Sequence, residues 1–572
     1  MKPLHRFIGK YIMFAVMALL LVLPLSVKAQ QISPKYETRA VWVTTLNGLD
    51  WPKKTAGTPS GILRQKKELC ELLDKLKDGG INTVILQTRV RATTIYPSRY
   101  EPWDVSLTKQ TGKNPGYDPL RFAIEECHKR GMELHAWVVT IPVGKWNSYG
   151  CKELRKKKSN LVIRIGDEGY MNPTKEETGT YIANICSEIV NNYDVDGIHL
   201  DYIRYPETWK QKIIGVQGRS NITKIVSKIN KAVKQSKPWV KLTCAPIGKH
   251  DDLRRYSSRG WNARSRVCQD AQAWLRTGLM DGLYPMMYFQ GNNFFPFALD
   301  WIENSYGKPV VSGLGIYFMR DKNWSFDVIE RQMEVCRLYG LGHAYFRSEF
   351  FTDNLKGIYD FASKTFDVNP ALPNPMVWQT KVKPSAPHNL VVNRYAGTTH
   401  LSWDDAVDRS GGNYLLYNIY ASDKYPVDID DSRNLVAAHV RGKNFTIRHK
   451  QYFNKDLHYA VTAVNRFGIE GKPSVAPSDI ISENIVTPAS EIHLPELPNN
   501  LDARFYLIES ADGTIMDTQP YNSAINIKSL PVGMYIIRTL GKKAVMHRIG
   551  WLKVSQDKNK QKSAELKMVW KK

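Results

Sequence analysis

The chain has 572 residues, more than one hydrophobic core absorbs, so several domains are expected. Its formal charge of +25 predicts attraction to an anionic partner, but no helix-turn-helix, zinc-finger or other nucleic-acid motif accompanies the basic residues, which argues against nucleic acid. The seven cysteines are odd in number and widely spaced, and they form no CxxC or Cys/His ligand pattern, which argues against a disulfide scaffold and indicates no metal site.

In chain order, Lys2, Arg6 and Lys10 precede an apolar run over 11–23, then Pro24 and a small-residue site ending at Ala29. That is the pattern of an export signal over 1–29, too short for a membrane span. No cysteine follows the run, so a lipoprotein anchor is not supported. No later apolar segment is long enough to span a bilayer, and a soluble exported protein is expected.

From 36 to 367 short β-branched runs alternate with amphipathic helix patterns, which predicts βα units around a parallel sheet. Strands are expected at 39–44, 83–87, 133–139, 197–201, 241–244, 282–287, 310–313 and 342–346, the eight that close a barrel. Helices are expected at 63–77, 119–130, 179–191, 221–234 and 326–339, with Asp118-Pro119 as a helix start and Gly131 as a stop. The basic run Arg155-Lys156-Lys157-Lys158 reads as a solvated helix or loop.

After Asp367 the texture changes. A Pro-rich linker is expected over 368–383 and a β-sandwich over 384–482. Pro384-Ser-Ala-Pro387, Leu401-Ser-Trp403, Tyr417-x-x-Tyr420 and Tyr459-x-Val-x-Ala-Val-Asn465, in that order, resemble a fibronectin type III domain. The last stretch, 489–572, reads as a small all-β module. Its turn Leu530-Pro-Val-Gly-Met-Tyr535 is similar to C-terminal modules of exported Bacteroidetes proteins, and with the export signal this resemblance implies the periplasm or the cell surface of a Gram-negative bacterium.

The most informative stretch is Asp196-Gly-Ile-His-Leu-Asp-Tyr-Ile-Arg-Tyr-Pro206. If Asp201 points inward, period-two alternation puts His199 and Gly197 on the same face. A strand that delivers an acid to the C-terminal rim of a parallel barrel is how that fold exposes a catalytic group. By itself the pattern also fits a buried strand whose aspartate caps the next turn.

The surrounding motifs are more specific. Glu37-Thr-Arg-Ala-Val-Trp-Val43, Gln87-Thr-Arg89, Tyr96-Pro-Ser98, Glu101-Pro-Trp103, Pro115-Gly-Tyr-Asp-Pro-Leu120, Gly131-Met-Glu-Leu-His-Ala-Trp137, Met171-Asn-Pro173, the Asp201 stretch and Asp281-Gly-Leu-Tyr-Pro-Met-Met-Tyr288 resemble, in this order, the glycosyl hydrolase-like 10 family. The resemblance runs over 36–367. It implies a (β/α)8 barrel, glycosidase activity without cofactor or metal, and a polysaccharide substrate, with peptide-free peptidoglycan strands as the leading class. Many relatives carry a second acid where this chain has Tyr202, and Asn-Pro after the His-Ala-Trp where it has Val138-Val-Thr140.

Glycoside cleavage usually needs two carboxyl groups. Asp201 is one candidate, Glu349 after the eighth strand is the second, and Asp50 and Glu101 are the alternatives. Substrates carrying an N-acetyl group can supply their own nucleophile. The Asp201 motif loosely resembles the strand-four acid motif of family 18 chitinases, and Tyr288 matches the residue that orients the N-acetyl group there.

Supporting roles follow from chemistry. Arg89 and Gln87 share a face of the second strand, where a guanidinium could hold a carboxylate ionised or bind the lactyl carboxylate of a muramic acid. His135, placed at the end of the third strand, could bind sugar hydroxyls. Trp42, Trp137, Tyr96 and Trp103 could stack on sugar rings, and Asn172, His199 and Tyr205 could line the site. The rival readings are a hydrolase of another acidic or host-derived polysaccharide and a catalytically silent glycan-binding surface protein.

Overall fold

The computed structural model describes residues 33–209, 215–254, 256, 260–395, 398–448 and 457–475, then 485–487, 491–493, 503–510, 513–521, 524–541, 546–556 and 562–568. The expected export signal at 1–29 lies outside the described residues. No helix among the described residues is long and apolar enough to cross a membrane.

The first domain is the expected (β/α)8 barrel. Its strands are β1 (Arg39–Val43), β2 (Thr83–Arg89), β3 (Glu133–Val139), β4 (Gly197–Asp201), β5 (Lys241–Cys244), β6 (Gly282–Leu283), β7 (Val311–Leu314) and β8 (Gly342–Tyr345). They are parallel and hydrogen-bonded in the order β7-β8-β1-β2-β3-β4-β5-β6. The β6–β7 seam closes through isolated bridges, Leu283 to Val310 and Met286 to Gly313. The sixth strand was expected to reach 287, but Pro285 has no N–H to give to a ladder, and regular pairing ends at Leu283.

Each strand is buried on both faces. In β4, Ile198 and Leu200 pack outward in the layer between strands and helices, each worth roughly 1.5–3 kcal/mol of apolar burial. Gly197, His199 and Asp201 take the other phase, toward the barrel axis. Gly197 has a packing reason: a Cβ there would stand 2.7 Å from the His135 ring. The helices start where capping chemistry permits, as at Asp118, whose carboxylate accepts the Arg121 N–H at 3.1 Å ahead of Pro119.

Two additions frame the barrel. Above the rim, the connection after β3 carries a three-stranded antiparallel sheet (Pro142–Lys145, Glu168–Met171, Val162–Ile165) and the helix Tyr149–Lys158, whose last turn holds the basic run. Below the opposite face sits a two-sheet sandwich. Its three-stranded sheet pairs His388–Tyr395, Thr398–Asp404 and Asn444–Arg448; its four-stranded sheet pairs Leu435–Val440, Leu416–Ser422, His458–Val464 and Glu470–Val475. Arg466 of the sandwich ion-pairs with Asp194 at 3.1 Å and Asp196 at 3.3 Å, just ahead of β4.

The stretch read as a linker is held against the barrel. Leu372 bridges Tyr36, Met376 is fully buried, and Trp378 donates to Asp281 at 2.9 Å. Its prolines alternate with apolar anchors that find partners below the barrel. Among the described residues the C-terminal part is all-β, a six-stranded sheet and a two-stranded ribbon. Ile485–Thr487 already pairs with Lys562–Met568, so this module takes in residues ahead of 489.

Candidate active site

Asp201 ends β4 at the C-terminal rim, with 7% of its surface exposed. Its Oδ2 accepts the Trp137 indole N–H at 3.1 Å, and its Oδ1 accepts the Tyr202 backbone N–H at 2.7 Å. Burial raises its pKa to about 6, against the opposing pull of Arg204 and of these two donors. A carboxyl group in that range holds a proton in mildly acidic solution and can deliver it.

The layer beneath is neutral and rigid. His199 accepts the Trp42 indole N–H on Nε2 at 3.3 Å, which leaves Nδ1–H to donate to Thr243 Oγ1 at 3.0 Å. Burial and the neighbouring His135 hold its pKa well below the usual imidazole value, so it carries no charge. Trp42, Tyr284 and His199 meet edge to face at 5.1–6.2 Å. His199 and Trp42 therefore support the acid from inside the barrel.

Glu349 lies at the same rim, after β8. It pairs with Arg347 at 2.6 Å and with Lys53 at 3.6 Å, and its side chain is about a quarter exposed. Asp50 is deeper. It accepts the Thr44 and Glu349 backbone N–H groups at 2.8 and 3.2 Å and also pairs with Arg347, while burial raises its pKa. Arg347 thus ties the β1 and β8 loops together. Tyr288, after β6, is half-buried against Phe346 and Tyr317 at 5.5 and 5.8 Å. Among the described residues no group hydrogen-bonds its hydroxyl. Burial chiefly, with Tyr317, Asp201 and Tyr202 adding to it, raises its pKa well above the ordinary phenol value.

Several other candidates have scaffold positions. Arg89 is fully buried: it holds Glu101 through two bonds of 2.6 and 2.8 Å and gives its remaining edge to the Val139 and Thr140 carbonyls. No edge is left for a substrate carboxylate, and Glu101 is consumed in the same pair. Gln87 accepts from Thr44 Oγ1, Thr45 N and Leu46 N at 2.6–3.0 Å and so shapes the loop after β1. Tyr96 is wholly buried and donates to Glu188 at 3.0 Å.

His135 does not lie at the end of its strand. It pairs in register with Gly197, four positions below the Val139–Asp201 pair, about 13 Å down the barrel, where it contacts Glu133 at 3.1 Å. Asn172 is committed to its own turn, accepting from Thr174 N and Oγ1 at 3.0 and 2.8 Å. Tyr205 is buried, with its hydroxyl bound by Asn221 at 2.9 Å. Trp103 is partly buried against the main core.

Three residues escaped the sequence reading. Arg347 stands two positions before Glu349, and adjacency was the available signal. Arg204 is buried beside Asp201 and pairs with Glu207 at 2.5 Å. Arg91 continues the phase of Arg89 and emerges exposed.

A sequence profile of the glycosyl hydrolase-like 10 family matches residues 37–218 and 216–317. Glycosyl hydrolase YngK of Bacillus subtilis (strain 168) is 30% identical over 397 residues, covering 61% of this chain and 76% of that protein. Glycosyl hydrolase DigH of Escherichia coli (strain K12) is 30% identical over 287 residues, 44% of this chain and 65% of DigH, so the chain spans just under two thirds of that relative. Among solved structures, the glycoside hydrolase domain of PgaB (BpsB) from Bordetella bronchiseptica is similar over 59% of this chain and 100% of that one, at 14% identity and a TM-score of 0.42.

Proposed function

The chain belongs to the glycosyl hydrolase-like 10 family and is a glycoside hydrolase, and from that premise we propose that it cleaves a polysaccharide of N-acetylated hexosamines, peptidoglycan glycan strands first, with Asp201 as its general acid. The single observation that carries the mechanism is the carboxyl group of Asp201, buried at the barrel rim with its pKa at about 6. Protonated Asp201 gives its proton to the glycosidic oxygen as the C1–O bond breaks. The first nucleophile bonds to C1 in that step, and the resulting carboxylate then takes a proton from the water that attacks C1 as the bond between C1 and that nucleophile breaks.

The nucleophile of the first step is the substrate's own acetamido oxygen. Tyr288 supports this reading, because its hydroxyl is unoccupied among the described residues and stands close enough to Asp201 to feel its charge. A second reading keeps Glu349 as the second carboxylate, favoured by its place at the same rim and its partial exposure. The basic chain suits a polymer with carboxylates and the extracytoplasmic compartment expected from its first 29 residues. The three-plus-four strand arrangement under the barrel supports reading that sandwich as a fibronectin type III-like module.

The test is mass spectrometry of soluble products from peptide-free peptidoglycan strands and, in parallel, from an acidic exopolysaccharide without N-acetyl groups. Oligosaccharides from the first substrate alone, lost in Asp201→Asn, are expected. Products from the second alone would move the reading to another acidic polymer. Binding without products from either would leave a silent glycan-binding protein.

A further inference from the structure

Three consecutive strands end in an aromatic corner. Met286 bridges Gly313 and Leu314 pairs with Tyr345, so Tyr288, Gly315 and Phe346 stand at one level of the rim, beyond β6, β7 and β8. Gly315, in the middle, has no side chain, and Tyr288 leans over it: a Cβ at Gly315 would lie 3.1 Å from Tyr288 Cβ and 3.2 Å from Cδ1. Tyr317 follows two residues on. Its ring centroid lies 5.8 Å from that of Tyr288 and 5.8 Å from that of Phe346, at interplanar angles of 89° and 73°. Tyr288 and Phe346 are 5.5 Å apart and only 37° from parallel. Tyr317 is therefore a wall, and the other two rings form the floor it stands on.

The corner is backed and yet open. Phe346 rests on Trp42 at 5.9 Å, the same indole that holds His199 beneath the acid. Tyr317 rests on Phe318 at 4.1 Å and Phe350 at 6.4 Å. All three rings of the corner are half-exposed, and Tyr288 feels the charge of Asp201, so the open side lies beside the acid. Among the described residues nothing hydrogen-bonds the hydroxyl of Tyr288 or of Tyr317. Burial, with Asp321 adding to it, pushes the Tyr317 phenol up to about 12, so it keeps its proton. Apolar ring surfaces beside an unspent donor suit a small group with an apolar end and an acceptor oxygen. An acetamido group has both, a methyl and a carbonyl. A packed wall does not give way to a longer chain.

We propose that Tyr317 closes an acyl pocket over Tyr288 and Phe346 and sets the length of the N-acyl group that the enzyme accepts, with the acetamido methyl against the Tyr317 ring. The proposal rests on the reading of the substrate as an N-acetylated glycan and adds the residue that measures its acyl group. Tyr317 is a specificity-determining residue here, apart from the proton transfers of Asp201.

The experiment uses peptide-free strands that have been de-N-acetylated and then re-acylated with either acetic or butyric anhydride. Both amides carry a carbonyl of similar basicity, so a difference between them reports the space around the chain. Wild type is expected to prefer the acetylated strand in kcat/KM by at least about tenfold, the scale of a methylene too many in a packed pocket. Tyr317→Ala is expected to bring that ratio within about threefold of unity, because the corner is then open on one side. Tyr317→Phe keeps the wall and is expected to keep the wild-type ratio. Each ratio compares two substrates on one enzyme sample, so a partly unfolded variant does not alter it. A wild-type ratio near unity, a wild-type ratio retained in Tyr317→Ala, or a ratio lost equally in Tyr317→Phe overturns the acyl pocket and leaves the glycosidase reading intact. No products from the acetylated strand with wild type would remove that reading, and the pocket with it.

Discussion

Asp196 and Asp201 bracket the same five-residue strand, and their surroundings push them in opposite directions. Asp196, at the lower end, accepts from His128 at 2.8 Å and from the Leu134 N–H at 2.9 Å, and pairs with Arg466 of the sandwich. Burial opposes its ionisation, but these partners overcome it and hold its pKa far below the carboxylate range. Asp201, at the upper end, has two neutral donors and a cation whose guanidinium is already paired to Glu207, and there burial prevails. One end of the strand spends its charge on docking a domain. The other keeps a proton available. The same division holds around the barrel, where the lower face carries a buried network of Glu37, Arg39, Arg337 and Asp367, and it matches the general separation of stability and chemistry between the two faces of this fold.

The largest effect that would test this division is at the lower end. Arg466→Ala leaves Asp196 buried with His128 as its remaining side-chain partner and removes a cation from Asp194, and should cost about 3 kcal/mol of stability, the low end for a broken buried pair, measured by denaturant unfolding, with kcat/KM per folded molecule unchanged. A loss of turnover without a loss of stability would break the comparison. At the upper end the sign is reversed. Because Asp201 holds its proton more tightly folded than unfolded, stability should fall as pH rises from about 4 to about 6, by about 3 kcal/mol, and be flat in this contribution above that. Unfolding of wild type and Asp201→Asn across that window isolates it, and parallel curves would contradict the raised pKa. Smaller still, Tyr288→Phe should lower kcat by about tenfold on acetamido-bearing strands with the fold intact, the scale of one lost hydrogen bond. No change would favour Glu349 as the second group.

Much of the barrel was legible in the sequence because most strands are short runs rich in β-branched or aromatic residues set between helix patterns, and because strands buried on both faces need no alternation to be seen. The exception, β6, was cut short by Pro285. Asp201 stands out as a candidate from period-two phase taken together with the surrounding motifs. What phase cannot report is depth. His135 and Asp201 both face the axis, yet they lie in different layers. Nor does sequence show which of two like residues is already paired. Arg89 and Arg91 are equivalent on paper, and only the packing of Glu101 against one and Gly144 against the other separates them. The packing of 368–383 is hidden for a related reason: its prolines are visible in the sequence, and the partners of Leu372 and Met376 are not.

The most direct test of the account is the pH dependence of kcat/KM on peptide-free strands for wild type and Asp201→Asn. The account predicts a basic limb with its inflection at about 6, falling tenfold per pH unit above it. It predicts a variant about a thousandfold slower whose residual rate lacks that limb. The same limb in Asp201→Asn, or turnover in the variant near the wild-type level, would contradict it.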